Sequence, residues 1–169
     1  DGMGGAGARK YVHKDTGEEH TAAYWASRIV KSSIEVFLNE RPIGKDPLEH
    51  IEENLHKTLV EKLNDAIVSF PSASTTMSKM IRNLPTTLAL CAFKVEDDFV
   101  DIRCYWAGDS RVYLLNKNGT TLLTIDDADA PDGDPFSPAN MDLAMNNILC
   151  QDREFRINKS VLKLKLEND

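Results

Sequence analysis

Two long amphipathic stretches are followed by several short alternating ones, and that order predicts helices first and antiparallel strands second. Glu18 to about Leu38 reads as a helix, with Ala22, Trp25, Ile29 and Ser33 recurring on one face and Val36 or Phe37 continuing it. Glu18 and Glu19 suit the positive N-terminal end of such a helix, and Arg41-Pro42-Ile43-Gly44 breaks it. Residues 6–17 read as a loop. A second helix has a clear start: Asp46 as N-cap, Pro47 at the first helical position and Glu49 completing a pattern like a capping box. Its stripe of Leu48, Ile51, Leu55, Leu59, Leu63, Ala66 and Phe70 runs to an expected end near Phe70-Pro71, and Ser72–Ser78 reads as a loop.

Strands follow. Thr86–Val95 is largely apolar, as a strand covered on both faces would be. Phe99–Ala107 alternates, with Val100, Ile102, Cys104 and Trp106 on one face and Asp101 and Arg103 on the other. Arg111–Asn116 and Thr120–Ile125 flank Asn118-Gly119, a strong hairpin signal. These four strands read as an antiparallel meander. Asp126–Asp134 is an acidic loop, Pro138 to about Leu149 a short helix carrying Met141, Met145 and Ile148, and Arg153–Ile157 and Val161–Leu166 two further strands. Helices then strands make an α+β class with helices packed on a sheet.

Bulk properties narrow the function classes. The chain has 169 residues, one-domain size, with 41% hydrophobic and 28% charged residues. Its net charge of −7 and the absence of a basic cluster argue against nucleic acid or an anionic membrane as partner. No long apolar run or signal-peptide core is present. The three cysteines, Cys91, Cys104 and Cys150, form no Cys-x-x-Cys pair, so they read as small buried residues of a reducing compartment, here the cytoplasm. The chain has no initiator methionine and is expected to begin inside a longer gene product.

Candidate chemistry lies in two segments. Asp1-Gly2-Met3-Gly4-Gly5 sets a carboxylate beside a bare backbone carbonyl, the oxygen ligands a hard divalent ion prefers. Leu84-Pro85-Thr86-Thr87-Leu88-Ala89-Leu90 opens a strand, and Cys104-Tyr105-Trp106-Ala107-Gly108-Asp109-Ser110-Arg111-Val112-Tyr113 crosses a turn. The loop Asp126–Asp134 does not meet the spacing of a calcium-binding EF-hand, since Pro131 stands at the fifth position counted from Asp127. His13, His20, His50 and His56 form no ligand pattern; His13 reads as a surface histidine near the glycine motif, and His50 and His56 fall on the polar side of the second helix.

In this order, with two helices between, the glycine motif and the Ala-Gly-Asp-Ser-Arg-Val-Tyr string resemble the metal-dependent protein phosphatases of the protein phosphatase 2C family. The resemblance implies a four-layer αββα sandwich, here incomplete at both ends, across residues 1–169 as a single partial catalytic domain. It implies two or three Mn2+ or Mg2+ ions that lower the pKa of a water, which attacks the phosphorus of phosphoserine or phosphothreonine in a phosphoprotein. Asp1 matches the bridging carboxylate, Gly2 the backbone-carbonyl ligand and Asp109 a third, weaker metal position; as a plain turn residue, Asp109 would instead accept backbone N–H bonds. No side chain is the nucleophile. Met3 stands where animal relatives carry a histidine, which points to the bacterial type. Thr86-Thr87 matches a Gly-Thr-Thr-Ala-like stretch, from which Pro85 and Leu88 depart; support for the sheet or metal loop fits the threonines better than chemistry. Arg111 reads as a structural ion pair. The acidic loop and following helix, 126–150, correspond to a variable flap beside the metal site, which makes Asp129, Asp132 and Asp134 candidates for substrate selection.

The family site also needs acidic ligands before Asp1 and after Asp169. The chain alone is therefore expected to bind metal weakly, to catalyse poorly and to self-associate through open sheet edges. The alternative is a phosphatase-fold binding or regulatory module without catalysis.

Overall fold

The computed structural model describes residues 5–70, 81–127, 145 and 147–166. The chain divides into two compact units: one of Asp1–Thr87 with Leu149–Phe155, the other of Leu88–Ile148 with Arg156–Asp169. The described elements are two α-helices and antiparallel strands, an α+β protein.

The first unit opens with a hairpin that local sequence signals did not reveal. β1 (Lys10–Val12) pairs antiparallel with β2 (Glu19–Thr21), and Gly17 supplies the positive φ of 71° that the connecting turn requires. Residues 6–17 are thus not all loop. Glu19 sits in β2, where its carboxylate meets Lys10 Nζ at 2.9 Å, so it does not cap a helix. α1 (Ala22–Asn39) instead starts after Thr21, whose hydroxyl accepts from the Tyr24 amide at 3.1 Å, and no acidic residue lies in its first turn. The buried face keeps Ala22, Ser33 and Phe37 of the expected one but leaves Trp25 and Ile29 half-buried and takes in their neighbours. Ala23, Ala26, Val30, Ile34 and Phe37 are buried, while Val36 is exposed.

α2 (Pro47–Ile67) follows its sequence closely. Asp46 Oδ1 accepts from the amides of Leu48 and Glu49 at 2.8 and 3.4 Å, and Pro47 occupies the first helical turn. Leu48, Ile51, Leu55, Leu59 and Leu63 are all 2% exposed or less, a continuous apolar stripe. The helix ends at Ile67, before Phe70, and tighter turns carry the chain on: Ser69 N donates to Ala66 O and Phe70 N to Ile67 O, both at 3.0 Å. Thr86 and Leu149 exchange backbone bonds of 2.9 and 3.0 Å, an isolated antiparallel bridge that brings residues 149–155 into this unit. Residues 147–149 are not helical, which corrects the C-terminal end of the expected 138–149 helix; 138–144 and 146 lie outside the described residues, as does Ser72–Ser78.

The second unit holds β3 (Leu88–Glu96), β4 (Phe99–Ala107), β5 (Tyr113–Asn116), β6 (Gly119–Leu122) and β7 (Asn158–Lys165). The expected meander does not form. β4 has β3 on one side and β7 on the other, all antiparallel, while β5 and β6 make a separate two-stranded sheet. The physical reason is at Gly108, whose φ of 86° turns the chain out of the sheet and leaves the edge of β4 for β7. Arg153–Ile157 is not a strand; β7 begins at Asn158 and is longer than Val161–Leu166. The register does place Val100, Ile102, Cys104 and Trp106 on one face of β4, with Asp101 and Arg103 on the other. β3 is not covered on both faces: Phe93 and Val95 are 68% and 63% exposed. The hairpin at Asn118-Gly119 is present, with Gly119 at φ 126°. It is tied to the three-stranded sheet where Trp106 Nε1 donates to Ile125 O at 2.7 Å and Ser160 Oγ to Leu123 O at 2.8 Å.

Candidate metal centre

Asp1, Gly2 and the flap residues Asp129, Asp132 and Asp134 lie outside the described residues. The chain just after the glycine motif is described, and its backbone is anchored. Ala23 N donates to Gly7 O at 3.1 Å and Ala22 N to Arg9 O at 2.7 Å, so residues 7–9 dock on the start of α1. Arg82 N donates to Ala6 O at 3.2 Å. That bond joins the run-out of the glycine motif to the segment that enters Leu84-Pro85-Thr86-Thr87.

This second segment is rigidly held. Leu84, Pro85, Thr86 and Thr87 are all buried. Leu84 adopts φ 50°, a left-handed conformation that costs a branched side chain about 1–3 kcal/mol and persists only where the surroundings impose it. The surroundings are a polar knot around Asn83. Tyr11 Oη donates to Asn83 Oδ1 at 2.8 Å, Asn83 N to Asp152 Oδ1 at 3.0 Å, Asn83 Nδ2 to Gln151 Oε1 at 3.3 Å and Gln151 N to Asn83 O at 2.9 Å. Burial raises the Tyr11 phenol above its usual value, so it stays a donor across the physiological range. Thr86 Oγ1 donates to the Thr87 carbonyl at 3.2 Å, a structural bond.

In the second unit three aspartates follow β4 in the sequence, Asp109, Asp126 and Asp127. Asp126 accepts from Arg111 Nε at 3.0 Å and from its NH2 at 2.5 Å, the expected structural ion pair in its two-pronged form. Hydrogen bonding to Asp126 foremost, then to Tyr113, pushes the Arg111 guanidinium up, so it remains cationic. Asp127 belongs to the acidic loop, yet it is buried. Its Oδ2 accepts from Gly108 N at 3.0 Å and from Asn147 Nδ2 and Asn158 Nδ2 at 2.7 Å each, and its Oδ1 from Arg156 at 3.3 Å. Asp127 N donates back to Gly108 O at 3.0 Å. Asn147 is fixed in turn: Arg156 N donates to its Oδ1 at 2.9 Å, and its Nδ2 donates to Arg156 O at 3.1 Å. Asp109, next to this network, is exposed and accepts none of these bonds.

The histidines take structural places. His13 is a half-buried member of an aromatic cluster with Trp25 and Phe70, and its Nδ1 accepts from the amides of Asp15 and Thr16 at 3.3 Å each. His20 stacks on Tyr24 at 4.0 Å. His50 is not on a polar face: it is buried and stacked on Phe37 at 4.5 Å, between α2 and α1. His56 Nε2 reaches Phe155 O at 2.9 Å. Among the described residues no three His, Cys, Asp or Glu side chains converge to hold a metal.

The Asp127 network and the Asn83 knot were the functional-looking features that sequence reading missed. Asp127 carried a weak signal, since it stands two residues past Ile125, the end of a strand-like run. Its partners Asn147 and Asn158 carried none. Comparison with known proteins finds no matching family model, curated protein or solved structure.

Proposed function

We propose that the chain is the central portion of a Mn2+- or Mg2+-dependent protein phosphatase domain of the protein phosphatase 2C type, acting on phosphoserine and phosphothreonine in cytoplasmic phosphoproteins. The finer architecture proposed with it is the four-layer αββα sandwich. One observation carries the reading beyond the motifs: the Arg82 amide holds Ala6 O, so the run-out of the glycine motif adjoins the segment entering Thr86-Thr87. Ala6, just past the glycine motif, and Arg82, just before Leu84-Pro85-Thr86-Thr87, are therefore neighbours in space.

The donor set fits hard cations. Asp1 and Gly2 would offer carboxylate and carbonyl oxygens, and Asp109 an exposed carboxylate. Asp126 and Asp127 are committed to Arg111 and to the Gly108–Asn147–Asn158 network, so Asp109 is the carboxylate of the three left for a cation. Divalent ions held there would supply an acidified water and would offset charge on the phosphoryl oxygens. Arg111 is engaged by Asp126 and does not orient phosphate. Asp129, Asp132 and Asp134 are proposed to meet the substrate.

The test is manganese-dependent hydrolysis of a small aryl phosphate and of a phosphothreonine peptide by the full-length protein. Asp1→Asn is expected to abolish turnover, and Asp109→Asn to lower it by roughly 10–100-fold with unchanged circular dichroism. No turnover by a folded wild-type protein would overturn the enzyme reading and favour the binding or regulatory module.

A further inference from the structure

Cys91 on β3 lies directly opposite Cys104 on β4. Facing residues of an antiparallel pair project to the same side, with Cα atoms about 4.5–5.5 Å apart. A disulfide spans Cα separations of roughly 4.4–6.8 Å, so the register already meets its main requirement. The two thiols differ in environment: Cys91 is exposed, contrary to the expectation that all three cysteines are buried, and Cys104 is buried. Burial first, and the Cys91 thiol second, push Cys104 up to about 11, so it stays protonated near neutral pH. The remaining cysteine, Cys150, belongs to the other unit and is buried, with its Sγ 3.7 Å from Arg153 O. One thiol is open to solvent and one partner stands within reach of it.

We propose that Cys91 and Cys104 are a modification site that closes to a reversible cross-strand disulfide, with a hydroperoxide as oxidant and Cys91 as the sulfur that reacts first. In the first step the Cys91 sulfur attacks one oxygen of hydrogen peroxide, the O–O bond breaks, and the thiol proton leaves with the other oxygen as water. Cys91 becomes a sulfenic acid. In the second step the Cys104 sulfur attacks the Cys91 sulfur. The S–S bond forms, the S–O bond breaks, and the hydroxyl departs with the Cys104 proton as a second water. Two thiols are oxidised by two electrons and one peroxide is reduced to two waters. A small dithiol reverses the change by exchange. The product fastens β3 to β4 near the Leu88–Ala107 end of the pair, just before the Gly108-Asp109 turn.

The experiment treats the folded protein with hydrogen peroxide, removes the peroxide, denatures, and counts free thiols by maleimide labelling and intact mass. Three labels are expected before treatment and one after it, the survivor on Cys150. A peptide map should join Cys91 to Cys104, dithiothreitol should restore all three labels, and Cys150→Ala should still close the bridge. Cys104→Ala should leave a Cys91 sulfenic acid that a dimedone probe captures. Three labels persisting after peroxide, Cys91 found linked to a second chain, or Cys91 over-oxidised beside a free Cys104 thiol would each overturn the proposal.

Discussion

The two units differ at their most tightly closed points. In the helical unit an apolar stripe is closed off: Leu55, Leu59 and Leu63 of α2 are 2% exposed or less. In the sheet unit a carboxylate is buried at one end, while Phe93, Val95, Leu115, Ile125 and Val161 are exposed. The first unit gains its stability from transfer of hydrocarbon out of water, at roughly 25 cal/mol per Å2. The second relies at the end of β4 on a carboxylate whose desolvation is offset by the Gly108 amide, two asparagine amides and Arg156.

That contrast can be tested by substitution. The largest effect is expected from Leu59→Ala in α2, which removes a fully buried side chain and leaves a cavity; chemical denaturation should report a loss of about 3–5 kcal/mol. A loss under about 1 kcal/mol would mean that the helical unit is not held by its apolar stripe. Next is Asp127→Ala. Gly108 N–H, Asn147 and Asn158 would lose their common acceptor, and a loss of about 2–3 kcal/mol is expected. Little of this comes from Arg156, whose side chain is 67% exposed and whose ion pair is screened by solvent. Faster amide exchange at Gly108 in this variant would sharpen the assignment; unchanged exchange there would break it. The smallest effect is expected from Phe93→Ser on the exposed sheet face, within about 0.5 kcal/mol in the same measurement. A large loss there would show that Phe93 is covered in solution and that the two units are more alike than their exposures indicate.

The same division governs what could be read in advance. α2 was legible because its determinants are local: the Asp46 cap, Pro47 and a leucine every turn. α1 was legible in existence but not in start. Glu18 and Glu19 mimic an acidic helix terminus, yet Glu19 answers to Lys10 across a hairpin whose pairing is set by contacts nine residues apart. Within the sheet, the alternation of Phe99–Ala107 gave the faces of β4, and Asn118-Gly119 gave the β5–β6 turn. Neither could give the neighbour of β4, since pairing with β7 joins segments more than fifty residues apart and is chosen by the folded ensemble. For the candidate site, the ion pair of Arg111 was anticipated as a type, and its partner proved to be Asp126. The role of Asp127 was not, because a carboxylate in an acidic run looks solvated until Asn147 and Asn158 arrive from elsewhere in the chain.

The Asn83 knot has a consequence for how the protein emerges from the ribosome. Tyr11, Asn83, Gln151 and Asp152 meet at one point, yet they are drawn from the beginning, the middle and the late part of the chain. Synthesis delivers the helices early, but their unit lacks its closing segment, 149–155, until the intervening strands have been translated. Helices α1 and α2 are thus made well before the segment that closes their unit, and a nascent chain stalled before Gln151 would hold them without their final clasp.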